Sequence, residues 1–167
     1  YFTGQHPPKL KDPKLGIQAC HHVFLSNARA VKSFREMGIK GQIGFVNVLQ
    51  PNDPISQEPE DLRAWEIAEG IYTHWLYDPV LKGEYPHDML EMAQAAFGVP
   101  EFHPGDAELL KENIVDFIGL NYYKREMVAR NDDVQGFDLN TSGQKGSGGG
   151  MGFKGLFKIV KNPNGVY

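Results

Sequence analysis

Two short apolar runs constrain this chain more than anything else in it. They are IGFVNVL, from Ile43 to Leu49, and the stretch that opens VDFIGLNYY, from Val115 to Tyr123. Nearly continuous hydrophobicity suits strands covered on both faces, as in a parallel sheet, because a half-solvated strand would alternate. Helical patterns fill the sequence between them, so α/β with parallel strands is the expected class. Two strands cannot close a parallel sheet. The chain therefore reads as part of a larger barrel or doubly wound sheet.

Spacing gives the helices. Ile17, Cys20, Phe24, Ala28 and Val31 recur at helical intervals, predicting an amphipathic helix over about 17–37 that stops at Gly38, after an irregular loop over residues 1–16. Pro59 suits a helix start. Leu62, Trp65, Ala68, Ile71, Trp75 and Leu76 then mark one broad face over about 60–77, with Asp78-Pro79 as the expected break. Short helices are expected over about 87–97 and 105–113, the second with Asp106 as a cap or first-turn acid. Beyond Tyr123 the composition changes. Residues 129–155 read as one long Gly-rich loop, and LFKIV (156–160) as a short strand or edge segment.

Length and composition bound the function. At 167 residues the chain has the size of one domain, with the hydrophobic and charged content of an ordinary globular protein. A net charge of -4, with Lys and Arg scattered among acids, argues against a nucleic-acid partner. No apolar run approaches the ~20 residues that span a bilayer, which argues against a membrane. The single cysteine, Cys20, excludes an internal disulfide and fits a reducing, cytoplasmic setting. Tyr1, with no methionine or signal pattern, and the Asn162-Pro163-Asn164-Gly165 turn just before Tyr167 both read as cuts. Residues 1–167 are accordingly expected to be a single incomplete segment of a catalytic domain.

Most formal motifs fail on context. His21 and His22 are adjacent in a helical pattern and so point in different directions, and no metal-ligand spacing occurs. Gly150–Gly155 matches G-x-G-x-x-G, but a Gly/Ser loop precedes it and an apolar, β-branched segment follows, the reverse of a dinucleotide fingerprint. Ser142-Gly143-Gln144-Lys145 matches S-x-x-K in Gly-rich loop, without the helix that presents the lysine to the serine. Asn140-Thr141-Ser142 is a sequon that matters only in a secreted protein. Asp78, Glu84 and Asp116 lie at turn or strand boundaries, where capping and turn hydrogen bonds are the expected work. No in-chain acid–base pair and no cofactor site follow from the residues.

Several stretches in order resemble glycoside hydrolase family 1, the β-glucosidase and 6-phospho-β-glycosidase family. They are GQHPPKLKD (4–12), HHVFLSNARAVKSFRE (21–36), GQIGF (41–45), YDPVLKGEYP (77–86), FHPGDAELLK (102–111) and DFIGLNYY (116–123). The resemblance covers essentially the whole chain and is most specific in YDPVLKGEYP followed by DFIGLNYY. It implies part of a (β/α)8 TIM barrel, about strands 5 and 6 with flanking helices and loops. It also implies a retaining glycosidase that takes a β-glycoside. The late region TSGQKG through GLFKIVKNP is similar to members acting on 6-phosphorylated disaccharides. The family's acid/base motif T-x-N-E-P and nucleophile motif I/V-T-E-N-G do not occur here, so no catalytic residue is assigned and the chain alone is expected to be inactive.

Strand alternation puts Phe117, Gly119, Asn121 and Tyr123 on one face of the second strand and Ile118, Leu120 and Tyr122 on the other. In a barrel the first set suits the lumen, turning polar at the C-terminal rim where active sites collect. By position alone, a polar strand end lining an ordinary loop explains the pattern equally well. By resemblance, Asn121 and Tyr123 lie beside the nucleophile, with the Tyr123 hydroxyl donating to its carboxylate. The alternatives are a glycosidase of unphosphorylated sugars and a non-catalytic α/β sugar-binding or structural domain. Exposed strand edges further predict a homo-oligomer or a rearranged fold for the isolated segment.

Overall fold

The computed structural model describes residues 7–131 and 157–160. In chain order the elements are α1 (Pro13–Glu36), β1 (Gly44–Leu49), β2 (Asn52–Pro54) and α2 (Pro59–Glu69). A π-helical turn (Gly70–His74) and α3 (Trp75–Leu81) continue α2. Then come α4 (His87–Ala96), α5 (Asp106–Glu112), β3 (Phe117–Tyr122), β4 (Glu126–Ala129) and β5 (Lys158–Val160). No described helix is long and apolar enough to cross a membrane.

The two strands legible in the sequence pair with each other. β1 and β3 run parallel in register from Gly44↔Phe117 to Leu49↔Tyr122. A second small sheet has the order β2-β4-β5, with β2 and β4 parallel and β5 antiparallel to β4. β5 falls inside the expected LFKIV segment. β2 and β4 are too short and too polar to announce themselves. The Gly-rich loop expected over 129–155 begins one residue late, because Ala129 closes β4. The rest of that loop lies outside the described residues.

Helix α1 begins a full turn before Ile17. Asp12 caps it by accepting the Leu15 N–H at 2.9 Å, and Pro13 occupies the first turn, where its missing N–H costs nothing. Its predicted apolar stripe is buried as expected at Ile17, Phe24, Ala28 and Val31. Asp78-Pro79 does not end the next helix, which runs on to Leu81. Pro79 would crowd the carbonyl of Trp75, the residue that closes the preceding π turn. In that wide turn the Trp75 N–H reaches back to Gly70, so the chain accommodates the proline where the helix is already loosened. The real stop is Gly83, whose φ of +75° favours glycine and where a Cβ would collide with the Lys111 backbone.

Two cores result. The larger joins Phe24, Leu25, Ala28 and Val31 of α1 to Val80, Tyr85, Leu110 and Val115, with Ile43, Phe45 and Ile118 packed against it. The smaller sets Ala64, Ile67, Ala68 and Tyr72 against Val128 and Phe157, so the second sheet rides on α2 and the π turn. Ile118 therefore faces the helices as expected. Leu120 and Tyr122, assigned to the same face, stand 54% and 57% exposed, because the helical cover stops short of the strand end.

The opposite face of β1 and β3 is built from complementary pairs. Phe117 lies over Gly44, and Val46 lies over Gly119, each large side chain set on the glycine it pairs with across the strands. Among the described residues the outer edges of both strands are unpaired, so this sheet is open.

Asp116 fixes the start of the pair. Its Oδ2 accepts the Ile43 N–H at 2.8 Å while its own N–H donates to the Ile43 carbonyl at 2.8 Å. Arg35 of α1 donates to the Ile114 carbonyl at 2.7 Å and lies 3.4 Å from Asp116 Oδ1. Asp116→Ala removes the acceptor of the Ile43 N–H on an exposed bond and should cost about 0.5–1.5 kcal/mol in urea unfolding. Asp116→Asn keeps an acceptor and should recover more than half of that loss. Equal losses for the two variants would assign the effect to the charge instead.

Candidate functional site

The C-terminal ends of β1 and β3 form a rim. Val48 pairs with Asn121 and Leu49 with Tyr122, so both strands finish level. Asn121 leaves the strand on the face of Gly119 and Val46, away from the helix layer. Its side chain is exposed and makes no hydrogen bond to a described residue.

Just beyond this point the register changes. Leu49↔Tyr122 gives way to Asn52↔Glu126, so Tyr123, Lys124 and Arg125 stand opposite only Gln50 and Pro51. One extra residue on the β3 side makes a bulge, a device that re-aims side chains at strand ends. Tyr123 opens that bulge and is 76% exposed. The structure thus brings both sequence-predicted residues to one rim, Asn121 in the last ladder position but one and Tyr123 past the ladder.

Polar contacts stiffen the bulge. The Glu126 N–H donates to the Pro51 carbonyl at 3.0 Å, Arg125 Nε lies 2.8 Å from Asp53 Oδ2, and Lys124 is paired with Glu126. Beneath, buried Asn52 donates both its backbone and side-chain N–H to Glu69 Oε1, and the Trp65 indole donates to the Asn52 carbonyl at 2.7 Å. Sequence reading missed Asp53, Arg125, Asn52 and Glu69. Their pairing depends on a one-residue register offset that no local pattern encodes.

The rim offers an amide and a phenol, groups suited to hydroxyl-rich ligands or to holding a carboxylate in place. It offers no free acid–base pair. Asp53, Glu69 and Glu126 are each already engaged, and no group of three potential metal ligands exists among the described residues.

The most catalytic-looking cluster lies elsewhere and is structural. Fully buried His21 contacts the Tyr85 hydroxyl at 3.0 Å through Nδ1 and Asp106 Oδ2 at 3.3 Å through Nε2. An ionised Asp106 only accepts, so Nε2 carries the proton and Nδ1 accepts from Tyr85. Burial pushes the Tyr85 phenol up, which keeps it a donor. Trp75, Phe24 and Phe102 enclose the tyrosine ring, leaving no approach for a substrate. The trio fastens α1 to the start of α5.

Two predictions follow from these geometries. Desolvation holds His21 below its ordinary value of 6.5; Asp106 opposes that shift, whereas His22 and His103 reinforce it. The unfolded chain therefore takes up this proton first, and stability should fall as pH drops below 6.5 until the folded pKa is passed. Asp106 is held below 3.8 by the His103 N–H first and by His21 second, so it adds a separate loss below pH 3.8. Urea unfolding against pH should show both steps, and His21→Phe should remove the upper one; an unchanged slope would assign it to other histidines. At the rim, Arg125→Gln should leave global stability within about 0.5 kcal/mol yet speed hydrogen exchange at the Glu126 amide by up to about fivefold. No change there would show that the ion pair does not restrain the bulge.

The geometry can be set beside known proteins. The family model described as glycosyl hydrolase family 1 matches residues 1–150. An aryl-phospho-beta-D-glucosidase of Bacillus subtilis is 39% identical over 166 residues, covering 98% of this chain and 35% of that protein. A 6-phospho-beta-glucosidase of the same organism is 35% identical over 128 residues, covering 77% of this chain and 28% of that protein. Among solved structures, the GH1 beta-glucosidase from Exiguobacterium antarcticum superimposes with a TM-score of 0.77 at 26% identity, over 98% of this chain and 33% of that one. The chain spans about a third of the length of these proteins, and its strands and helices are one segment of their α/β barrel.

Proposed function

This chain belongs to glycosyl hydrolase family 1, and on that premise we propose that it is a strand 5–6 segment of the catalytic domain of a retaining glycosidase. The substrate class is 6-phosphorylated β-glucosides or β-galactosides. One observation carries the reading: similarity to an aryl-phospho-beta-D-glucosidase runs through 98% of the chain at 39% identity. Relatives named 6-phospho-beta-galactosidase, such as that of Clostridium acetobutylicum at 29% identity, support the same substrate class. On this reading the reaction takes place in the cytoplasm, where a lone thiol such as Cys20 stays reduced.

Retaining hydrolysis needs one carboxylic acid to protonate the leaving oxygen and a second carboxylate, ~5–5.5 Å away, to form the glycosyl-enzyme bond. The rim described here supplies neither. Its contribution is support: Asn121 and Tyr123 border the site, and the Tyr123 hydroxyl donates to the nucleophilic carboxylate. That bond favours the ionised carboxylate and fixes its orientation. The 167 residues alone are therefore inactive.

A second reading, hydrolysis of unphosphorylated β-glucosides, draws on the beta-glucosidase of Thermotoga maritima, which is 35% identical over 135 residues. The two readings separate in one assay of the protein encoded with its flanking sequence. Nitrophenyl β-glucoside 6-phosphate should be turned over far faster than nitrophenyl β-glucoside; the reverse order selects the second reading. In the same protein Tyr123→Phe should lower kcat by roughly tenfold or more and move the acidic limb of the pH–rate profile upward, because the nucleophile loses a donor. Unchanged kinetics would remove the role given to Tyr123.

A further inference from the structure

We propose that a cavity in the helix layer, among α1, the π turn with α3, and α4, binds one small apolar ring the size of benzene or toluene. The site is separate from the rim, and the proposal is independent of the glycosidase reading. The cavity holds about 120 Å³.

Its origin lies in the spacing of α4. Met89, Ala93 and Phe97 succeed one another on a single face of that helix and its C-terminal cap, with a short side chain between two long ones. Met89 is drawn toward Gly70, where the absent Cβ leaves room for its thioether at the mouth of the π turn. The hollow is left over Ala93. Ile17 and Cys20 of α1 close one side, and Ile71 and Trp75 close the other.

Chemistry then selects the occupant. The lining exposes no polar atom, although Cys20 and Trp75 both contribute to it. Burial raises that thiol to about 11, so it stays neutral at physiological pH. Water in a cavity needs two to four polar partners, and none is offered. Apolar cavities of about 150 Å³ lined by Leu, Ile and Phe stay dry and take up benzene. Here aromatic walls add edge and face contacts for a ring, and the flexible side chains of Met89 and Met92 can adapt to it.

The test uses the protein encoded with its flanking sequence and carbon-13 labelled at the methionine methyls. Titrated benzene should shift the Met89 and Met92 methyl resonances saturably while Met127, in β4, stays still. Ala93→Leu fills the hollow and should abolish the benzene shifts. Ile71→Ala enlarges it and should admit naphthalene, which carries the test if the leucine variant fails to fold. Absence of saturable shifts in the folded protein, whether because flanking chain fills the cavity or for any other reason, overturns the proposal. So do equal shifts in Ala93→Leu or no naphthalene uptake by Ile71→Ala.

Discussion

The arrangement depends first on one carboxylate. Asp116 exchanges two hydrogen bonds with Ile43, one through its backbone and one through its side chain, and lies beside Arg35 from α1. A parallel strand pair has no hairpin turn to set its register, so something outside the ladder must do so. A slip of one residue would swap the faces, sending Ile118 into the open face and Asn121 toward the helices. By holding the first rung, Asp116 decides which side chains arrive at the last one. The residue read from the sequence only as a boundary acid is thus the one that aligns the rim.

Legibility follows from how local each feature's cause is. The apolar stripe of α1 and the two strands were visible because burial imposes period and continuity along the chain itself. Alternation likewise put Asn121 and Tyr123 on one strand face, whereas a place for them beside a nucleophile was implied only by the family resemblance. Other features have distant causes. β2 and β4 are held by each other and by α2, with Ile67 and Ala68 under Val128. The start of α1 was mistaken for loop, although Asp12 and Pro13 carried a legible cap signal. Pro79 reads locally as a breaker, whereas the π turn before it accommodates the ring. The direction of its neighbour His22 says nothing of the partners of His21, Tyr85 and Asp106, which lie far along the chain.

The site and the packing share a further constraint. On the rim face, Val46 is 63% exposed and Phe117 is 47% exposed, although each is matched to a glycine on the partner strand. Such pairing makes a smooth apolar floor suited to cover by the further strands of a complete family barrel. Each large side chain so covered would gain on the order of 1.5–3 kcal/mol relative to full exposure, and less from a half-buried start. The same closure would remove water from the base of the rim, where Asn121 stands.

That coupling explains why the bulge is braced. Under the proposed role for Tyr123, its phenol must be held in place, because a hydrogen bond misplaced by an ångström loses most of its value. Tyr123 lies beyond the ladder and receives no positional help from strand pairing. The restraint comes instead from the residues around it: the Glu126 amide on Pro51, Arg125 on Asp53, and Asn52 fixed to Glu69 and Trp65. These contacts link the segment after β1 to the segment after β3, so the backbone on both sides of the bulge is tied to the register that Asp116 sets at the opposite end. The chain thus carries a run of contacts from helix α1, through Asp116 and the strand pair, to the backbone on either side of Tyr123.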